Sequence, residues 1–221
     1  MDWIRELHDS FELGINRIEK ENKKAFVSSS FQSNSVVLLH LVSVIRPQIP
    51  IIFLNTGFLF PETFSFRNLL AERLGLNIIE YKSSVPKIQQ RDTNGRFLYT
   101  TNPDACCRMN KVLPMQRVLE DFDVWINGVR AGQSSVRNSF AEWQTLGDGK
   151  FRYHPLLDLD NRAVHQYIKH FELPFHPLHN KGLQSIGCEP CTQIVPITSS
   201  ERDGRWMGLN KTECGLHTEI K

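Results

Sequence analysis

Five cysteines divide into a contiguous pair, Cys106 and Cys107, a Cys-x-x-Cys at Cys188 and Cys191, and Cys214 standing alone near the C-terminus. Two pairs make a metal-ligand count, and the fifth thiol is left for chemistry. Adjacent cysteines strain a mutual disulfide, and a zinc knuckle usually spaces its cysteines by two to four residues. A tandem pair plus a distant Cys-x-x-Cys suits an iron–sulfur cube better, because four thiolates must converge on four corners; structural zinc is the alternative. Lys111 lies four residues past Cys107, which places both on one helical face with the ammonium beside the cluster. Cys214 is flanked by Lys211 and His217, and nearby cations favour the thiolate, the attacking form. Arg202 and Arg205, beside Trp206, add positive charge, so an anionic electrophile is expected. An inert thiol in a frayed tail is the competing reading.

Those residues need a scaffold. Ile4, Leu7, Phe11, Ile15 and Ile18 recur at helical spacing, so the first twenty residues read as an amphipathic helix. Lys24 to Val27 reads as a strand, followed by the polar stretch Ser28 to Ser35 and a buried helix from Val36 to Ile45. Pro50 to Leu54 is a second strand that stops at Asn55-Thr56-Gly57. Pro61 then opens a helix that Gly75 closes. Asn77 to Tyr81 and Asp123 to Asn127 are the third and fourth strands, with a helix through Val112, Met115, Val118 and Leu119 between them. Asp160 caps a last helix, and from about Asn180 periodicity vanishes. Alternating strands and helices predict an α/β fold with a parallel sheet, whose ligands gather at the carboxyl ends of the strands.

The loops at those ends carry chemistry. Ser28, Ser29 and Ser30 lead into a helix and offer hydroxyls and amides to a phosphate or sulfate, without the Gly-Lys-Ser ending of a Walker loop; a plain polar cap is the bland reading. Arg130, with Gln133 and Arg137, follows the fourth strand, and guanidinium binds oxyanions bidentately; a solvated loop is the alternative.

Length, 40% apolar residues and 23% charged residues fit one soluble domain, and a net charge of +2 provides no field for nucleic acid. No apolar run approaches the roughly 20 residues of a membrane span, and no signal peptide is visible. A cytoplasmic location is expected, where thiols stay reduced.

Taken in order, these motifs resemble the assimilatory sulfonucleotide reductases, which cleave adenylyl sulfate (APS) or 3'-phosphoadenylyl sulfate (PAPS) to sulfite. The likeness runs through Ser28-Ser29-Ser30-Phe31, Asn55-Thr56-Gly57 with Phe60-Pro61-Glu62-Thr63, Cys106-Cys107 with Lys111, and Gly128-Val129-Arg130. It continues through Ser185 to Cys188, Cys191, Arg202 to Trp206 and Glu213-Cys214-Gly215-Leu216-His217. The resemblance implies an adenine-nucleotide α-hydrolase-like, Rossmann-like domain over residues 1–200 with a mobile tail over 201–221. It implies one 4Fe-4S cluster on Cys106, Cys107, Cys188 and Cys191. It also implies a Cys214 thiolate that attacks the sulfate sulfur, and thioredoxin (or glutaredoxin) as the reductant that releases sulfite. Lys111, Arg130, Arg202, Arg205 and His217 would supply positive charge, while Ser28, Ser29, Ser30, Asn55, Thr56 and Gly57 would line the substrate site. Four cluster cysteines mark the APS-using branch, although the serine loop is closer to the PAPS-using one. An ATP pyrophosphatase of the same fold commonly carries Ser-Gly-Gly-x-Asp-Ser where this chain has Phe31-Gln32.

Overall fold

The computed structural model describes residues 2–196, 201–209 and 211–220. Helix α1 (Asp2–Lys20) buries Ile4, Phe11, Ile15 and Ile18, the stripe its spacing predicts. Strands β1 (Ala25–Ser28), β2 (Ile51–Asn55) and β3 (Ile78–Lys82) alternate with helices α2 (Val36–Ile45) and α3 (Pro61–Leu74). Proline at the start of α3 and Gly75 in the left-handed region at its end set its limits. Two short helices, α4 (Leu98–Thr101) and α5 (Pro103–Cys107), then lead through a π-helical turn (Arg108–Val112) into α6 (Leu113–Asp121) and β4 (Val124–Asn127). A four-residue α7 (Ser135–Asn138), strands β5 (Trp143–Thr145) and β6 (Phe151–Tyr153), and α8 (Asn161–His170) follow. The tail carries α9 (Gly215–Thr218).

The six strands lie in the order β3-β2-β1-β4-β6-β5, all parallel except β5, which runs antiparallel to β6. The parallel α/β sheet is the one the sequence predicts, and β5 and β6 add two strands to the four read there. Each is three residues long, too short for a period-2 pattern to stand out.

Side chains of successive strand residues go to opposite faces. Val27, Ile51, Phe53, Val124 and Ile126 join α1, α2, α3 and α8 in one core. Phe26, Ile52 and Trp125 join α6 and the tail residue Ile220 in the other. The chain runs from β1 outward to β3 and then returns to place β4 on the other side of β1, so the topology reverses between β1 and β4. Their carboxyl-terminal residues, Ser28 and Asn127, are register partners at that point, where an open α/β sheet leaves a crevice. No helix among the described residues is long and apolar enough to cross a membrane.

Three imidazoles are enclosed by this packing. Burial pushes His40 and His176 down to about 4 and His154 down to about 3. In the unfolded chain they protonate near pH 6.5, whereas in the fold they stay neutral. The unfolded state therefore binds more protons as pH falls below 6.5, and stability declines over the interval from about 6.5 to about 4. Denaturant midpoints measured at pH 7.5, 6 and 5 are expected to fall in that order; a constant midpoint contradicts this titration.

Candidate active site

The cleft at the carboxyl edge of β1, β2 and β4 encloses about 1110 Å³ of empty space, counted out to the open side. Ser28, Ser29 and Ser30 line it, as do Thr56, Lys111, Arg202, Arg205, Cys214 and His217. Of the residues expected there from sequence, Asn55, Gly57 and Arg130 are elsewhere. Asn55 turns to the sheet edge, donating to Glu80 at 3.0 Å and accepting from the Gly57 amide at 3.0 Å. Gly57 takes a positive φ of 74° that lets the loop turn away.

The serine loop is internally braced. Trp125 Nε1 donates to Ser28 Oγ at 2.6 Å, the Phe31 amide donates to Ser29 Oγ at 3.0 Å, and Gln32 donates to Ser30 Oγ at 2.9 Å.

Arg130 is only 2% exposed, and its guanidinium serves the tail. Its Nη2 donates to Glu201 at 2.8 Å, and the same carboxylate accepts from Asn34 at 2.7 Å and Gln133 at 3.2 Å. The arginine that reaches the cleft is Arg137, seven residues on. Sequence places both on this loop, but each pairs with a different glutamate more than seventy residues on, which no local pattern shows.

That second carboxylate, Glu213, is almost wholly buried. It accepts from Arg137 Nε at 2.9 Å and Nη2 at 3.0 Å, from Ser134 at 3.1 Å, from Arg202 at 2.8 Å, and from the backbone N–H of Cys214 at 2.9 Å. Burial alone would raise its pKa, but the hydrogen bonds and charge of Arg137 and Arg202 hold it below the usual carboxylate range. Among the described residues lining the cleft, Lys111, Arg137, Arg202 and Arg205 are cationic and none is acidic. Burial pushes Arg202 down to about 10, which leaves it charged at neutral pH.

Cys214 opens α9 inside this ring of charge. A hydrogen bond from the Cys107 thiol, then Lys111 and the Leu216 N–H, outweigh burial and pull its thiol well below the usual range. A Cys107 committed to a metal could not donate, which leaves Lys111 and the Leu216 amide in that role. Gly215 serves packing: a Cβ there would meet Glu219 Oε1 at 2.6 Å and Val112 at 3.0 Å on the π turn. Gly215 is not among the glycines of positive φ, so this close approach, and not a left-handed turn, is what the glycine serves. His217 stacks on Trp125 with centroids 6.1 Å apart. Burial and the charges of Arg137 and Arg152 drive its pKa far down, so it is a neutral ring, not the cation expected from sequence.

Cys106, Cys107, Cys188 and Cys191 line a second, adjoining cavity of about 370 Å³, with Lys111 on the wall shared with the cleft. The π turn directly after Cys107 is the local feature that lets Cys106, Cys107, Asn110 and Lys111 face it together. Polar groups lie against two of the sulfurs: Asn110 Nδ2 donates to Cys106 Sγ at 3.5 Å, and the Thr56 hydroxyl is 3.3 Å from Cys188 Sγ. Among the described residues no three His, Cys, Asp or Glu side chains converge on a single ion. Four thiols spread round a cavity, with hydrogen bonds to sulfur, fit the donor set of a multi-iron cluster.

The chain matches the phosphoadenosine phosphosulfate reductase domain over residues 24–194. It is 36% identical over 205 residues to an adenosine 5'-phosphosulfate reductase of Bacillus cytotoxicus, covering 90% of this chain and 86% of that one. It is 38% identical over 207 residues to the like-named protein of Chelativorans sp. (strain BNC1), covering 93% and 83%. Among solved structures, the phosphoadenylyl-sulfate reductase of Candida auris in a phosphate complex superposes with a TM-score of 0.70 at 21% identity, over 83% of this chain and 88% of that one. The FMN adenylyltransferase of Candida glabrata gives 0.56 at 15% identity, over 86% and 69%, and shares the fold. With its parallel sheet, serine loop and paired cysteines in place, the chain belongs to the phosphoadenosine phosphosulfate reductase domain family.

Proposed function

We propose that this protein reduces APS to sulfite, with AMP leaving, through an S-sulfocysteine on Cys214. The observation that carries the reading is the placement of Cys214 in a cleft at the strand ends, lined by Lys111, Arg137, Arg202 and Arg205. A thiolate approaching a sulfuric–phosphoric anhydride is repelled by several anionic oxygens unless cations stand between them. The Cys214 sulfur forms a bond to the sulfate sulfur, the bridging S–O bond breaks, and AMP departs with that electron pair. Its leaving oxygen belongs to a phosphate, so no acid is required. A thioredoxin thiolate then attacks Cys214 Sγ, expelling sulfite and forming a mixed disulfide that the second thioredoxin thiol resolves. Ser28, Ser29 and Ser30 hold anionic oxygens, and neutral His217 offers a hydrogen bond to the group that Arg137 and Arg202 neutralise.

Cys106, Cys107, Cys188 and Cys191 would hold one 4Fe-4S cluster, which supplies fixed negative charge beside Lys111 and a crosslink between α5 and the Cys188 loop. All steps above are carried by the chain's own residues and the donor thiol. The tail from residue 201 onward is proposed to open for that donor, because Cys214 is buried when Glu213 is clamped. The expected boundary at residue 200 falls within 197–200, outside the described residues. Free thiols and a dithiol donor call for reducing surroundings, so the cytoplasm is the proposed compartment.

APS is preferred to PAPS on charge. The Glu201 carboxylate already pairs with Asn34 and Arg130 next to the serine loop, so an added ribose phosphate there would find Arg130 neutralised.

Anaerobically purified protein is expected to hold about four iron and four sulfide per chain and to absorb visible light. Cys188→Ser should abolish that absorbance, and a colourless wild type binding zinc would contradict it. Sulfite release from APS with thioredoxin should vanish in Cys214→Ser; persistence would sink the reading. Glu213→Ala should raise the alkylation rate of Cys214 and slow adduct formation ~100-fold, since Arg137 and Arg202 lose the buried carboxylate they share. An unchanged alkylation rate would show that Glu213 does not hold the tail.

A further inference from the structure

Asn127 terminates β4 where the strand order reverses, opposite Ser28 of β1. It is 4% exposed and lines the cleft, yet its Nδ2 has no hydrogen-bond partner. A buried amide donor left without an acceptor is costly, and such groups in a native fold point to a missing partner.

The direction of that donor is fixed by its other half. Asn127 Oδ1 accepts from the Val129 N–H at 3.2 Å and lies 2.7 Å from His154 Nδ1. Turning the amide over would set its NH2 against the Val129 N–H, donor facing donor, so Oδ1 stays inward and the NH2 faces the cleft. His154 is fully buried and neutral, with one ring hydrogen. That hydrogen belongs on Nδ1, facing Oδ1. Nε2 then accepts from the Gln144 amide 3.0 Å away, whose two ends can be exchanged because the only other contact to its oxygen, from Arg152, is a weak 3.5 Å. Val129 and His154 together hold the Asn127 donor aimed at open space.

We infer that Asn127 is a substrate-binding residue whose Nδ2 donates to an anionic oxygen on the phosphate side of the nucleotide. The inference rests on the nucleotide reading of the cleft and adds a contact to it. Ser28 across the strand pair and Gln133 and Arg137 on the following loop line the same cleft, and such a set of neutral donors with one guanidinium suits a phosphate or sulfate oxygen. No local pattern singles the position out, because an asparagine at a strand end also reads as an ordinary turn residue.

Calorimetric titration of the intact, anaerobically prepared protein with AMP and with adenosine tests this. Asn127→Asp keeps Oδ1 on Val129 and His154 while replacing the donor with a negative oxygen, and Asn127→Ala removes the amide. AMP affinity is expected to fall about 10-fold in Asn127→Ala and further in Asn127→Asp, with adenosine affinity unchanged in both. Steady-state assays with APS should show the loss in KM at near-constant kcat. Unchanged AMP affinity in Asn127→Asp overturns the inference, as does equal loss for AMP and adenosine, which would mark a distorted cleft. A wild-type protein that binds neither ligand would overturn the nucleotide reading itself.

Discussion

The carboxylate of Glu213 is buried where the loop after β4 meets the C-terminal tail, and the site depends on it being satisfied there. Five donors converge on it: three side chains from two segments distant in sequence, one of them through two nitrogens, and the backbone of the nucleophile itself. A carboxylate taken out of water is stable only when so compensated, and removing either arginine would strand it. The same contacts that neutralise Glu213 therefore set Arg137 and Arg202 at the cleft and put Cys214 next to Lys111.

This arrangement answers two opposed requirements. In the proposed reaction, attack on an anionic sulfonyl group would need a dry, cationic enclosure, whereas release would need the same sulfur to be reached by a second protein. The tail meets both by being held through polar clamps, Glu201 on Arg130 and Glu213 on Arg137, with limited apolar anchoring through Ile220, Leu216 and Trp206. The cysteine cavity adjoins the start of the tail: the Arg205 side chain donates to the Cys191 carbonyl at 3.1 Å, and the Trp206 amide to the same oxygen at 3.2 Å, which ties the tail arginines to the Cys188–Cys191 loop.

How much of this could be read from sequence follows from the range of the forces involved. Strands β1 to β4 were legible within a residue at each end because hydrophobic patterning is local. The serine loop, the two cysteine pairs and the Cys107–Lys111 spacing were legible because their residue types are scarce and their separations periodic. Arg130 and Arg137 could not be told apart, since each is claimed by a glutamate more than seventy residues away in the chain. His217 was read as a cation because its charge state depends on burial among Arg137 and Arg152, which no local pattern reveals. The packing role of Gly215 was hidden too: a Cβ there would crowd Val112 of the π turn at 3.0 Å, and neither half of that contact predicts the other.

The proposed reaction begins with transfer of a sulfonyl group to a tail thiol without help from any reductant. Intact-mass measurement after anaerobic incubation with APS in the absence of thiols tests that directly. One sulfo group per chain, mapped to the peptide bearing Cys214 and matched by one equivalent of AMP, is the predicted result. AMP formation with no adduct, or an adduct on any other cysteine, would contradict it.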